Sequence, residues 1–375
     1  MKTILQGVCV FFLLFLFSLT SFAETTDVYI EQQLEAGGAI ALWDQMDANT
    51  RDLFEKIGVV NISDLLNGVD TAGLLKVAEG LLAEQGRAPF AVMGMLLAAV
   101  VFCAYAGGWK ESLGSADVNG VYQMVCTLAV CTVSIVPFTA CIQTVNQALS
   151  SVAVFMGSFA PVYVAVLAAG GNLAAAASYQ TVLLLVSQLL GFLTGSVLLS
   201  LLLAALVLGI VNAVTANGDI GKIGEMLLKL VTWTLVTVSA VFTTILTVNG
   251  ALGTAADGLG NRIAKLSIAG MVPVVGGALS EAFLTVKGCI GVVRTTIGAF
   301  GTLSTVLVVL PAVIQCVCWQ LCLWVCVTVA DVFNVKGVGG LLKTMQTVCK
   351  HMVALLAISG LFMMIATVVV SKGTV

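Results

Sequence analysis

The sequence contains little charge. Of its 375 residues, 9% are charged and 59% are hydrophobic, and the mean hydropathy is +1.10. A soluble domain usually carries about 25% charged residues. A chain with so few charges cannot surround itself with a water-facing surface. This excludes an ordinary soluble protein and predicts that most of the chain lies in lipid.

The usual parts of catalytic and cofactor sites are also lacking. The one histidine, His351, has no aspartate or glutamate within fifteen residues on either side, whereas a catalytic histidine needs a partner. No phosphate-binding loop, dinucleotide fingerprint, HExxH or GxSxG motif occurs. The sequence therefore predicts no enzyme, and nothing in it indicates a cofactor, a metal, a small-molecule ligand or a nucleic acid.

None of the eleven cysteines lies in residues 24–88, so no disulfide framework is expected in that region. Cys318, Cys322 and Cys326 recur every four residues on one helix face. Because no histidine or carboxylate accompanies them, they are interpreted as packing residues rather than as a metal or redox site.

Residues 1–23 have the features of a secretory signal peptide. Lys2 precedes an apolar stretch, and Ser21-Phe22-Ala23 forms a small-x-small cleavage site. An uncleaved first span is the alternative. The acidic segment that follows directly favours cleavage and export.

Residues 24–88 hold twelve acidic and four basic residues, a net charge of −8. Leu53, Ile57 and Val60 recur at helical spacing, and a last short helix is predicted to end at Gln85-Gly86. We interpret the region as a small helical extracytoplasmic domain that contacts partners.

Residues 89–375 form the predicted membrane region. No charged residue occurs between Val118 and Gly218, a run long enough for three or four spans of about 20 residues. Val121–Ile142 and Ser151–Ala169 are two of the predicted spans. The fold class is all-α, a polytopic helical membrane protein with about seven to eight spans.

Two stretches of this region resemble each other. Pro161 and Pro273 each precede a long apolar run, and Asn217 and Asn334 each lie in a later turn before an amphipathic helix with regularly spaced lysines. The pattern predicts a duplication of about 155–250 against 267–373, with chance similarity between apolar sequences as the alternative. If each half has three spans, the halves lie inverted to one another, as in many transporters.

Counting spans from an exported N-terminus assigns each basic residue to a side. The predicted inside residues are Lys110, Arg262, Lys265, Lys336, Lys343 and Lys350. The predicted outside residues are Lys222, Lys229, Arg294 and Lys372. The excess of positive charge inside is modest in this arrangement.

The stretch Met271–Arg294 breaks the apolar pattern, because it contains a proline, a glycine pair and three charges. A charge in hydrocarbon normally faces a partner or water, and broken backbone at that depth needs protein or a cavity around it. The alternative is that the stretch lies at the membrane interface. The candidate pathway or packing-break residues are Pro161, Pro273, Gly276, Gly277, Glu281, Lys287 and Arg294.

The same stretch carries a family resemblance. Residues 271–282, MVPVVGGALSEA, preceded by NRIAK at 261–265, resemble the stage III sporulation protein AE family, and SDLLNG at 63–68 is similar to it as well. The likeness extends over essentially the whole mature chain. One departure is Glu281, where aspartate is expected, which keeps the charge.

The resemblance implies a role in endospore formation. Proteins of this family belong to a multi-protein assembly in the mother-cell membrane around the forespore, which joins a forespore partner across the intermembrane space as a channel or feeding tube. The assembly resembles secretion systems, with ring-forming and ATPase subunits. The family has no established catalytic residues, and none is transferred.

The leading interpretation is a non-enzymatic membrane component of that channel complex, surrounded by membrane lipid. One alternative is a transporter or permease with a substrate site at the Pro273–Glu281 break. Another is a purely structural membrane scaffold.

Overall fold

The computed structural model describes residues 42–43, 46–67, 71–111, 116–169, 197–215, 218–271 and 276–372, with isolated residues between 176 and 191. For residues 249–271, 276–290 and 363–372 it describes the helical backbone alone. The helices are α1 (Ala48–Lys56), α2 (Thr71–Glu111), α3 (Ala116–Ala169), α4 (Leu199–Thr215), α5 (Gly218–Met271), α6 (Gly276–Val332) and α7 (Lys336–Lys372), with a 3₁₀ helix at Ile62–Asn67.

Every regular element in the described residues is helical, which confirms the predicted all-α class. In the part of the chain that the structure describes, five stretches are long and apolar enough to cross a membrane: Gly73–Gly108, Gly120–Ala169, Ile220–Ile245, Gly291–Val332 and Lys336–Phe362. Helix α4 is equally apolar but has only 17 residues. The chain is therefore a polytopic helical membrane protein, and the count of seven to eight spans stays a prediction.

Neighbouring predicted segments are joined into long helices. Helix α3 continues through Pro161, so the predicted spans Val121–Ile142 and Ser151–Ala169 are one helix, and their separation is wrong. The predicted helix end at Gln85-Gly86 is also wrong, because α2 continues to Glu111. A glycine inside a helix costs only about 1 kcal/mol, which the packing of α2 against α6 outweighs. The boundary between residues 88 and 89 falls inside α2, and a separate domain at 24–88 stays a prediction.

Helix α6 is the centre of the bundle and packs against α2, α3 and α7. Helix α3 is antiparallel to it. The ring centroids of Phe138 and Trp319 are 5.5 Å apart, and Phe159 lies against Gly301. A Cβ at Gly301 would come within 2.5 Å of the Phe159 ring. This glycine therefore allows α3 and α6 to approach closely.

Helices α6 and α7 form a hairpin whose turn contains Asn334. Its φ is 55°, a left-handed conformation that asparagine tolerates better than most residues. Its N–H donates to the carbonyl of Asp331 at 3.1 Å, and Val335 N–H donates to Ala330 at 3.0 Å. These bonds confirm the turn predicted at Asn334, while Asn217 lies outside the described residues.

Helices α5 and α7 run parallel to each other. Thr232 Oγ1 lies 3.0 Å from His351 Nε2, and the rings of Phe242 and Phe362 are 4.2 Å apart. From the first contact to the second, the residue number rises along both helices, so the helices are parallel. This is expected, because the one antiparallel helix α6 lies between α5 and α7 in the chain. The hairpins α4–α5 and α6–α7 therefore have the same orientation, and the inverted relation predicted for three-span halves does not describe them. The duplication of 155–250 and 267–373 stays a prediction.

Candidate functional site: the junction between the N-terminal region and helix α6

Most of the predicted pathway residues lie at the start of α6. Gly276 and Gly277 are its first two residues, and Glu281 and Lys287 follow within it. For these four residues only the backbone is described. Pro273 lies between α5 and α6, outside the described residues. The pathway role of this stretch stays a prediction.

Arg294 is the predicted charge whose side chain is described. It is buried, with 7% of its surface exposed, so its guanidinium lies within the helix bundle. Pro161, in contrast, is exposed on α3. It lies between Phe159 and Tyr163, both of which pack on α6 within two turns of Arg294.

Next to Arg294, six aromatic side chains connect the N-terminal region with α3 and α6. We call this set the aromatic junction: Trp43, Phe54, Phe155, Phe159, Tyr163 and Phe300. Phe300 is at its centre and is fully buried. Its ring centroid lies 6.1 Å from that of Trp43 and 5.6 Å from that of Phe54. On the other side Phe155 lies 6.3 Å away.

The α3 side of the aromatic junction is a stacked row. Phe155 and Phe159 are 5.8 Å apart, and Phe159 and Tyr163 are 5.2 Å apart. Aromatic pairs in this distance range add about 0.5–1.5 kcal/mol beyond the area that they bury. Through Phe300, which contacts Phe155 on one side and Trp43 and Phe54 on the other, this row helps to hold the N-terminal region against the membrane helices.

Local structure points the aromatic side chains of the N-terminal region inward. Arg51 Nη2 donates to the carbonyl of Trp43 at 2.9 Å. The Asp64 carboxylate accepts from the N–H groups of Val60 and Asn61, each at 2.8 Å. Leu53 and Ile57 are buried as their helical spacing predicted, but Val60 is 56% exposed, because the chain leaves α1 at Gly58, where φ is 82°.

The outer face of α1 is acidic and water-facing. Asp47, Asp52 and Glu55 are exposed. Lys56 Nζ lies 2.6 Å from the Asp52 carboxylate, and this hydrogen bond raises the pKa of Lys56 above its usual value. One face of α1 is thus fixed to the bundle, and the opposite face exposes carboxylates.

A row of buried polar groups continues along α6 from Arg294. Ser304 and Gln315 follow at intervals of ten and eleven residues, which is close to three helical turns. Ser304 Oγ and Gln315 Oε1 are buried without a hydrogen-bond partner among the residues described. In contrast, Thr302 and Thr305 donate to carbonyls of their own helix at 2.9 and 2.8 Å.

Three cysteines from three helices meet in the core. Cys141 Sγ lies 3.8 Å from Cys316 Sγ, and Cys349 Sγ donates to the carbonyl of Cys316 at 3.1 Å. Within the described part of the chain, no three His, Cys, Asp or Glu side chains are placed to hold a metal ion. All three cysteines of the predicted packing face, Cys318, Cys322 and Cys326, are buried.

Sequence reasoning identified Arg294 but missed the aromatic junction. Trp43 and Phe54 are large aromatic residues in an acidic region, which was the available signal. Their partner Phe300 lies about 250 residues further along the chain, and no local pattern indicates such a contact.

Comparison with known proteins identifies one family and one characterised relative. The model of the family "Stage III sporulation protein AE" matches residues 62–373. The stage III sporulation protein AE of Bacillus subtilis (strain 168) is 20% identical over 303 residues, which cover 80% of this chain and 75% of that protein. No solved structure matches the chain.

Proposed function

Because the chain belongs to the stage III sporulation protein AE family, we propose that it is a non-enzymatic membrane subunit of a channel complex that links mother cell and forespore. In this proposal it lies in the mother-cell membrane around the forespore, and residues 24–88 face the intermembrane space. Its partners are the ring-forming and ATPase subunits of the same complex. The sporulation role follows from the family, and the rest is the proposal.

The aromatic junction is the observation that carries the proposal. It fixes the acidic N-terminal region to α6, the helix that packs on most of the bundle. A subunit that binds the carboxylates of α1 is thereby held rigidly relative to the membrane helices. A carrier that works alone has no use for such an attachment, whereas a subunit of an assembly needs one.

The lysines of α5 and α7 lie at one end of the bundle. Because α5 and α7 are parallel, Lys222 and Lys229 lie at the same end of the bundle as Lys336, Lys343 and Lys350. The sequence-based assignment of Lys222 and Lys229 to the opposite side is therefore wrong.

The aromatic junction lies well away from these lysines. Phe300 lies 32 residues before the end of α6, or about 48 Å along the helix. Arg262 and Lys265 near the end of α5 and Lys287 near the start of α6 lie away from these lysines, so basic residues occur towards both ends of the bundle. The exported N-terminus is therefore supported by the signal-like sequence of residues 1–23 and the acidic composition of residues 24–88.

Removing acidic groups from α1 tests the proposal. In sporulating cells, full-length protein with Asp47→Asn and Glu55→Gln should keep its normal level but co-purify fewer stage III sporulation subunits and give fewer heat-resistant spores. Glu225→Gln removes an exposed acid at the opposite end and should change neither. If wild-type protein co-purifies no other sporulation subunit, the proposal fails.

Two further variants separate a conduit or permease from a scaffold. Glu281→Gln and Lys287→Gln should assemble normally in both cases. If the protein is a conduit or a permease, cells with these variants should lose spore formation. If it is a scaffold, they should keep it. Ser304 and Gln315 support the conduit, because polar atoms that are buried without a partner among the described residues are destabilising and are retained where they serve a purpose.

A further inference from the structure

Five lysines lie where α5 and α7 run side by side. We call them the lysine face: Lys222, Lys229, Lys336, Lys343 and Lys350. Four are exposed and Lys350 is half-buried. On each helix they recur every seven residues, which displaces each lysine by only about 20° around the helix axis from the one before it. Each helix thus carries a single row of lysines.

The two rows lie side by side and in register. The contact between Thr232 and His351 is 3.0 Å long, and the His351 ring is fixed by a second bond from its Nδ1 to the carbonyl of Thr347 at 2.8 Å. Lys229 lies three residues before Thr232, and Lys350 directly precedes His351. The ends of both rows therefore lie at the same level of the bundle.

Acidic residues do not balance this charge. Among the described side chains at this end, the acids of α5, α6 and α7 are Glu225 and Asp331. Asp331 forms an ion pair with Lys343 at 2.8 Å. Among the described side chains of these three helices, five lysines against two carboxylates leave an excess of three positive charges. Counting Asp219 at the start of α5 from the sequence leaves an excess of two, which still favours an anionic ligand.

An exposed apolar stripe begins beside the lysines on α5. Ile223, Met226 and Trp233 are 53%, 70% and 67% exposed. The stripe continues to Val248, which is 51% exposed. It extends over 25 residues, or about 38 Å, slightly more than the hydrocarbon thickness of a bilayer of about 30 Å. An acidic protein segment would not require an apolar stripe of membrane length, whereas a phospholipid presents both an anion and acyl chains.

We propose that the lysine face binds the phosphate groups of anionic phospholipids whose acyl chains lie along the apolar stripe of α5. Lysine side chains can extend along apolar surface and keep their ammonium groups at the headgroups. This site is independent of the proposed role in the channel complex, because it involves neither α1 nor the start of α6.

The experiment uses full-length protein in nanodiscs and native mass spectrometry of the lipids that it retains. Phosphatidylglycerol should be retained in preference to phosphatidylcholine, less so at high salt. Lys229→Gln combined with Lys350→Gln leaves the Asp331–Lys343 pair intact. At about 1 kcal/mol per lysine, this double variant should weaken the preference about thirtyfold. The matched control, Lys56→Gln with Lys76→Gln, removes two lysines of the N-terminal region and should keep the preference for phosphatidylglycerol.

A second pair of variants separates binding from folding. Lys229→Arg with Lys350→Arg keeps both charges and should restore the preference. The proposal is overturned if wild type shows no preference, if the glutamine double variant keeps it, or if the arginine variant fails to restore it. It is also overturned if inorganic phosphate displaces the lipid at equal concentration, which would indicate a site for free anions. Loss of an acidic protein partner with unchanged lipid retention would assign the face to that partner instead.

Discussion

Helices α5 and α7 are parallel neighbours with the same lysine spacing, yet they occupy different surroundings. In the apolar 18-residue stretch of each helix, 17% of the residues are buried in α5 and 56% in α7. Helix α7 lies between α3, α4, α5 and α6, whereas α5 turns Trp233 and Val236 outward. Hydropathy alone therefore does not separate a central membrane helix from a peripheral one. The difference arises from which other helices each one touches.

The largest effect expected from this difference is at matched leucines. Leu356 of α7 is fully buried, and Leu230 of α5 is 44% exposed. Leu356→Ala should lower the free energy of unfolding by about 2–5 kcal/mol, because it leaves a cavity in the core. Leu230→Ala should change it by less than about 0.5 kcal/mol. Thermal unfolding of both variants in one detergent measures the difference, and equal losses would mean that α5 is as central as α7.

The membrane fold was predictable from sequence because it depends on local properties. Hydrophobicity and helical spacing indicated an all-α membrane protein, and the turn at Asn334 follows from the residues around it. Helix ends were less predictable. Pro161 and Gly86 are weak local breakers, and contacts between helices, which no local pattern contains, decide whether the helix continues.

An error in the number of spans also changes the direction of every later helix. The sequence-based count placed Lys222 and Lys229 opposite Lys336, whereas the one helix α6 joins α5 to α7 and puts these lysines at the same end. Of the candidate site, Arg294 was found as a charge in an apolar stretch. The aromatic junction was not, because the contact of Phe54 with Phe300 joins residues far apart in the chain.

The contacts that α4 makes with α5 and α7 give the next effect. A Cβ at Gly209 would lie 2.2 Å from Thr344 of α7, whereas one at Gly224 of α5 would lie 3.6 Å from its nearest neighbour, the Ala205 carbonyl of α4. Gly209→Ala should therefore destabilise the protein by about 1–3 kcal/mol through overpacking. Gly224→Ala should be neutral or stabilise it by up to about 1 kcal/mol, because alanine favours helix. The same unfolding measurement applies, and tolerance of Gly209→Ala would show that α4 does not pack tightly on α7.

The smallest effect concerns the links that close the two hairpins. In the α6–α7 hairpin, Lys343 Nζ donates to the Asp331 carboxylate at 2.8 Å, and both side chains are more than half exposed. In the α4–α5 hairpin, Gly221 N–H donates to Asn212 Oδ1 at 3.1 Å. Asp331→Asn should cost about 0.2–1 kcal/mol at low salt and less at high salt, because exposed ion pairs are weak and screened. Asn212→Ala removes an uncharged hydrogen bond and introduces no charge, so its effect should depend on salt much less. The free energy of unfolding of both variants, measured at two salt concentrations, tests this contrast. Equal salt dependence would show that the Asp331–Lys343 ion pair does not stabilise its hairpin through charge.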